Sequence, residues 1–428
     1  MKIRNYISPT SIGTAVILGT LIFAVGPSKA DFQNGPKAII DEVWQVVDRE
    51  YVDTTFNHQN WSEIRKKYLA KDYKNSEAAY RGVRDMLKTL GDPYTRFMDP
   101  KQYQSMQVDT SGEFQGVGIQ LGLDKKTKDL IVVAPIEDTP AYVAGVKPKD
   151  ILLTIDGHST KGLDLDKAVS QIRGAGGTTV ILKFRRDTQT LTFSLVRTRI
   201  ELKPVKYSLR TDAGQRVGYV RLTQFNANSA RDMRLALEKL NADKVDGYIL
   251  DLRSNPGGLL YASAEIARFW LGEGTIVSTV DRDGQKELIS ANRPPLTNKP
   301  LVVLVDGGSA SASEILSGAL QDNHRAVLVG TKTFGKGLVQ QVHPLSDGSG
   351  MAVTIAHYQT PSGRDINKKG IEPDYKVEIS KEVLKNFKPE QVATMDDPQY
   401  ARAFKVLTQK IAVQNGTPIA NDPLVSTP

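Results

Sequence analysis

The chain has 428 residues, a formal net charge of +8 and no cysteine, with basic residues dispersed among acidic ones. Lack of thiols excludes a disulfide framework, redox control and a cysteine nucleophile, so stability must come from packed cores, which a chain of this length can supply across several domains. Dispersed charge gives no support to nucleic-acid binding, and the five histidines, His58, His158, His324, His343 and His357, are scattered and form no H-E-x-x-H pair. Neither a zinc site nor a Ser-His-Asp triad is signposted, and no G-x-S-x-G elbow occurs.

Lys2 and Arg4 precede an apolar stretch from Ile12 to Val25, and Ser28-Lys29-Ala30 offers small residues at cleavage positions. This predicts a signal peptide over residues 1–30, removed after Ala30, because the stretch is short for a membrane span. Lys2, Arg4 and Lys29 fall inside it, so the remaining chain carries three positive charges fewer. Residues 31–110 read as a helical region, with Ile39, Ile40, Val43 and Val47 on one face, and Tyr80, Val83, Met86, Leu87 and Leu90 on another. Gly91-Asp92-Pro93 reads as a helix stop, and the region is expected to pack as a small cap.

Over residues 111–199 the pattern changes to short β runs, Leu130-Ile-Val-Val and Ile151-Leu-Leu-Thr-Ile, an Asp156-Gly157 turn, one helix near Leu165 to Ile172 and a strand from Thr179. The segment resembles a PDZ domain, most of all where Ala141-x-x-Ala-Gly145-Val and Lys149-Asp150-Ile151-Leu152 follow Gly116-Val117-Gly118-Ile119. That resemblance makes Gly116, Val117, Gly118 and Ile119 the carboxylate-binding loop, whose backbone N–H groups hold a peptide's C-terminus while the peptide adds to a sheet edge.

From residue 200 to 385 strands alternate with helices, which predicts α/β layers. The buried-strand pattern Gly247-Tyr248-Ile249-Leu250 runs into Asp251-Leu252-Arg253-Ser254-Asn255-Pro256-Gly257-Gly258, whose paired glycines let backbone approach a ligand closely. The strand Leu301 to Val305 leads to Gly308-Ser309-Ala310-Ser311-Ala312-Ser313-Glu314, and open α/β sheets tend to hold ligands at the carboxyl ends of strands. Ser311-x-x-Glu314 also reads as a capping box opening a helix; the two readings are compatible, since a helix start presents free N–H groups where an oxyanion would sit. Lys336 stands between Gly335 and Gly337. A lysine can serve as a base for serine only if its pKa falls from about 10.4; a drop of roughly 3 units corresponds to about 4 kcal/mol of differential solvation, which burial can supply. Gly330 to Gly337 nearly spells a phosphate loop, but Gly337 replaces the hydroxyl residue and Leu338 to Val342 reads as a strand, so nucleotide binding is not expected. Residues 386–428 are expected to form a C-terminal helix and a disordered tail.

The N-P-G-G loop, the G-S-A-S-A-S-E run and the T-F-G-K-G lysine, in this order along the chain, resemble the C-terminal processing peptidases, or tail-specific proteases, most of all the cyanobacterial and plastid members. Thr360-Pro-Ser-Gly-Arg-Asp-Ile-Asn367 and Gly370-Ile-Glu-Pro-Asp374 are similar as well. The resemblance implies a multi-domain α/β protein with a ClpP/crotonase-like protease core, an inserted PDZ domain and an N-terminal helical region. It implies Ser311 as nucleophile, Lys336 as general base, Gln340 as the side chain orienting the lysine, and the N–H groups of Gly257 and Ala312 as oxyanion donors, with no metal and no cofactor. Ser309 and Ser313 are then capping or packing residues. The implied activity is that of an exported serine endopeptidase whose partners are C-terminal tails of protein substrates, acting in a periplasm or a thylakoid lumen. Peripheral membrane proximity and oligomeric state stay open. The rival is a catalytically inactive PDZ scaffold that binds C-terminal peptides.

Overall fold

The computed structural model describes residues 35–416 apart from 381 and 384–386; the expected signal segment and the last part of the expected tail lie outside the described residues. Its centre is a six-stranded sheet in the order Val205–Asp212, Gln215–Leu222, Gly247–Asp251, Leu301–Val305, Val327–Gly330, Tyr375–Lys376. The first pair is antiparallel and the others parallel. Every residue of Gly247–Asp251 and Leu301–Val305 is buried, as parallel strands covered on both faces must be. Helices Ser229–Ala242, Leu260–Ala267 and Ala312–Asp322 share a core with one face, in which Leu237, Trp270 and Leu316 meet Tyr248, Leu250 and Val303. Helix Pro398–Gln414 covers the other with Tyr400, Phe404 and Leu407. Leu338–Pro344 is a strand, so the lysine loop lacks the helix that a phosphate loop requires.

A second, antiparallel sheet is organised by the long strand Gly350–Gln359. It pairs with Leu338–Pro344 along one edge and with Arg96–Met98 and Thr275–Asp281 along the other. Through Arg96–Met98 the helical region is woven into this sheet. Val43, Val47, Val83, Met86 and Leu87 share one core with Phe97, Met351 and Val353, so the region expected to be a cap is continuous with the protease core.

Helix Pro100–Ser111 buries none of its residues; it is started by Pro100 and an Asp99/Gln102 capping box and ended by Gly112 in the left-handed conformation. It leads to the pair Glu113–Gly116 and Thr198–Glu201, on which the PDZ domain is mounted. That domain has its own core of Val117, Leu152, Leu182 and Phe184. In its sheet Ile119–Leu123 is an edge strand. No helix among the described residues is long and apolar enough to cross a membrane.

Candidate active site

The chain leaves the strand Leu301–Val305 through a tight turn. Asp306 N–H donates to Ser309 Oγ (3.0 Å), while Asp306 Oδ1 accepts from Gly308 N–H (2.9 Å) and Ser254 N–H (2.8 Å). The hydroxyl of Ser309 donates to Leu252 O and that of Ser313 to Asn255 O, and both residues are fully buried. Ser311 is only half-buried, and its hydroxyl donates to no neighbour among the described residues. Its backbone, at φ 54° and ψ −113°, occupies a region that non-glycine residues rarely adopt, the kind of strain that persists where its surroundings over-determine it. Strand, strained serine and helix Ala312–Asp322 reproduce the geometry of a nucleophile elbow without the G-x-S-x-G sequence.

The Asn255-Pro256-Gly257-Gly258 loop closes on this turn. Asn255 Nδ2 donates to Leu222 O (2.9 Å), Asn255 O accepts from Ala310 N–H (3.0 Å), and Asn255 Oδ1 accepts from Gly257 N–H (2.9 Å). Gly257 sits at φ 98°, and a Cβ there would meet Ala310 O at 2.6 Å and Ser311 Cβ at 2.9 Å, so only glycine permits the approach. Of the two expected oxyanion donors, Ala312 N–H belongs to the first helical turn, whose amides lack intrahelical partners. Gly257 N–H lies beside it but is engaged by the Asn255 side chain.

Glu314 joins the serine and lysine segments. Fully buried, its carboxylate accepts from Ser311 N–H and Lys336 N–H at 2.9 Å each on Oε2, and from Gly335 N–H (2.7 Å) and Thr333 Oγ1 (2.5 Å) on Oε1. Two amides on one oxygen fix the two backbones side by side. Tyr358 OH adds a donation to Ser311 O (3.1 Å). The Lys336 ammonium lies over the Tyr94 ring, 4.9 Å from its centre, and forms no hydrogen bond to Ser311 among the described residues. Burial holds its pKa below the ordinary lysine value and the Arg96 guanidinium adds to this, while Asp92 and Glu314 oppose it.

Gln340 lies in the strand after the lysine, opposite Thr354, and its Nε2 donates to Thr354 Oγ1 at 3.5 Å. In the PDZ domain, Val117 O accepts from Ala141 N–H and Gly118 O from Ile136 N–H. A trans peptide points its N–H opposite to its C=O, so the amides of Gly118 and Ile119 face away from those acceptors, at the start of the free edge strand. Gly116 lies in the stem, paired with Thr198.

Sequence reasoning gave Glu314 a capping role, but its reach to Thr333, Gly335 and Lys336 depends on the fold. It read Gly91-Asp92-Pro93 only as a helix stop, missing that Asp92, Tyr94 and Arg96 approach the lysine. Arg253 escaped it too: buried, it pairs with Asp251 (2.7 Å) and Asp397 (2.8 Å), locking the strand end before the Asn255 loop to the C-terminal helix. Burial pushes the Asp251 carboxyl up, but Arg253 outweighs this and holds it below the usual range.

Among the described residues no group of His, Cys, Asp and Glu could hold a metal ion. Residues 216–377 match the model of peptidase family S41 and residues 131–186 that of the PDZ domain. The chain is 45% identical over 407 residues to a carboxyl-terminal-processing protease of Synechocystis sp., covering 94% of each. It is 40% identical over 346 residues to chloroplastic carboxyl-terminal-processing peptidase 2 of Arabidopsis thaliana, covering 78% of this chain and 67% of that one. A solved photosystem II D1 C-terminal processing protease matches with a TM-score of 0.53 and 37% identity, covering 80% of this chain and 93% of that one. With a PDZ domain and an S41 protease fold in one α/β chain, the protein belongs to the carboxyl-terminal-processing proteases of peptidase family S41.

Proposed function

We propose that the protein is an exported serine endopeptidase that takes the C-terminal tail of a protein substrate at its PDZ loop and cleaves with Ser311 and Lys336. Neutral Lys336 accepts the Ser311 proton as Oγ bonds to the scissile carbonyl carbon, whose oxygen becomes an oxyanion beside Ala312 N–H. Collapse breaks the C–N bond, the lysine returns its proton to the leaving amine, and water hydrolyses the acyl-enzyme by the same relay. Joining the dyad requires Lys336 Nζ to come within hydrogen-bond reach of Ser311 Oγ, and full use of Gly257 requires its N–H to leave Asn255. Gln340 orients the lysine.

The observation that carries this reading is the single Glu314 oxygen that holds the amides of Ser311 and Lys336 together at the elbow. The PDZ amides of Gly118 and Ile119 beside a free strand edge support tail capture. Residues 1–30 support export, and relatives named as chloroplastic agree with a periplasmic or lumenal site of action.

Peptides with a free or an amidated C-terminus, incubated with purified protein, provide the test. The reading expects cleavage that favours the free end, and Ser311→Ala that binds the tail but does not cut. Binding without cleavage by the unsubstituted protein would instead identify a PDZ scaffold.

A further inference from the structure

The turn Asp92–Arg96, contributed by the helical region, reaches the dyad by a second path. Asp92 Oδ1 accepts from Tyr94 N–H (2.9 Å), and Oδ2 accepts from the hydroxyls of Thr95 (2.7 Å) and Thr354 (2.6 Å). Thr354 N–H donates to Thr95 Oγ1 (3.0 Å), and both threonines are buried. Asp92 and Thr354 are 262 positions apart, so only the pairing of Arg96–Met98 with Gly350–Gln359 brings them together. A bulge also contributes: pairing passes from Val339 opposite Ala356 to Gln340 opposite Thr354, skipping Ile355. Without it Gln340 would face an isoleucine.

This arrangement determines which way the Gln340 amide points. An ionised carboxylate only accepts, so the Thr354 hydroxyl gives its proton to Asp92 and is left with lone pairs. Gln340 can then meet it only with Nε2, as it does at 3.5 Å, which turns Oε1 to the opposite side of the amide.

We propose that Asp92 and Thr354 are positioning residues for the catalytic base: through the chain Asp92, Thr354, Gln340 they present Gln340 Oε1, a pure acceptor, to the lysine Nζ. This rests on the reading of Ser311 and Lys336 as the dyad. An amide flipped the other way would offer the lysine a donor and repel its hydrogens. The helical region is thereby part of the catalytic unit, since its Asp92–Arg96 turn supplies the relay's anchor, the ring under the ammonium and two of the charges that face Lys336, the third being Glu314.

The test compares kcat and KM against pH for the full chain and for Thr354→Val, Thr354→Ser and Asp92→Asn. Thr354→Val keeps shape and charge but has no hydroxyl, so kcat on the alkaline plateau should fall about tenfold, with KM within about twofold and the rising limb unmoved. Thr354→Ser should restore it. Asp92→Asn removes a negative charge that favours the ammonium, so its limb should move toward acid as kcat falls. Unchanged kcat in Thr354→Val, or serine failing where threonine works, would overturn the relay while leaving the dyad standing. Absence of cleavage by the unsubstituted protein would remove the dyad itself.

Discussion

The helical region and the PDZ domain are both appended to one α/β core, and they are joined to it in opposite ways. The helical region shares a hydrophobic core with the strand Gly350–Gln359, adds a strand to its sheet and sends Asp92, Tyr94 and Thr95 to the lysine side of the site. The PDZ domain keeps a core of its own and is mounted on a two-stranded stem next to a helix that buries nothing. Joined through a core, an appendage can position a catalytic group to a fraction of an ångström. Mounted on a stem it can move as a body and report the arrival of a ligand.

The largest effect that would break this contrast is in unfolding. Met351→Ala, in the shared core, should cost about 2–5 kcal/mol and lower the main transition together with peptidase activity. Leu182→Ala, in the PDZ core, should cost a comparable amount but lower a separate transition, leaving that of the protease core in place. Calorimetry of the two variants checks this; a single transition displaced equally by both would mean that the PDZ domain is not an independent unit.

A smaller effect concerns tail capture. Gly118 sits at φ 79°, and a Cβ there would lie 2.2 Å from Thr139 Oγ1, so Gly118→Ala should distort the loop amides and weaken binding of a free C-terminal tail about tenfold. Fluorescence titration in a Ser311→Ala background measures this without turnover. Unchanged affinity would remove the tail from this loop.

The smallest is a pH shift. A ring face stabilises an ammonium by about 0.5–1 kcal/mol, so Tyr94→Leu, which removes the ring but keeps Lys336 covered, should make the lysine lose its proton more readily and move the rising limb of kcat/KM toward acid by about half a unit. Tyr94→Phe should leave the limb in place. In every variant activity must rise with pH, because only the neutral amine can accept the serine proton, and the limb should lie below the ordinary lysine range because burial depresses Lys336.

How much of this was legible follows from what sequence encodes. Buried strands such as Leu301–Val305 announce themselves as continuous apolar runs, and the helical faces of residues 31–110 by their period. Helix Pro100–Ser111 has no such stripe because it packs into no core, and only its ends mark it, the Asp99-Pro100 start with Gln102 and the Gly112 stop. At the site, the serine run, the lysine between two glycines and the paired glycines of the Asn255 loop were readable because each is a local sequence pattern. Glu314 was half readable, its local capping contact being a spacing rule and its bonds to Thr333 and Gly335 being tertiary. The bond from Asp92 to Thr354 left no trace in either local pattern, since an Asp-Pro pair and a threonine in a strand are ordinary where they stand.

The claim on which the rest depends is that Ser311 Oγ is the atom that attacks, activated by Lys336. Its most direct measurement is covalent labelling with a serine-directed fluorophosphonate, followed by mass spectrometry of the labelled peptide across a pH series. The account predicts one adduct on Ser311, none on Ser309 or Ser313, a labelling rate that rises along the same pH limb as peptide cleavage, and loss of labelling in Lys336→Ala. Labelling of another serine, or labelling of Ser311 that is indifferent to Lys336, would contradict it.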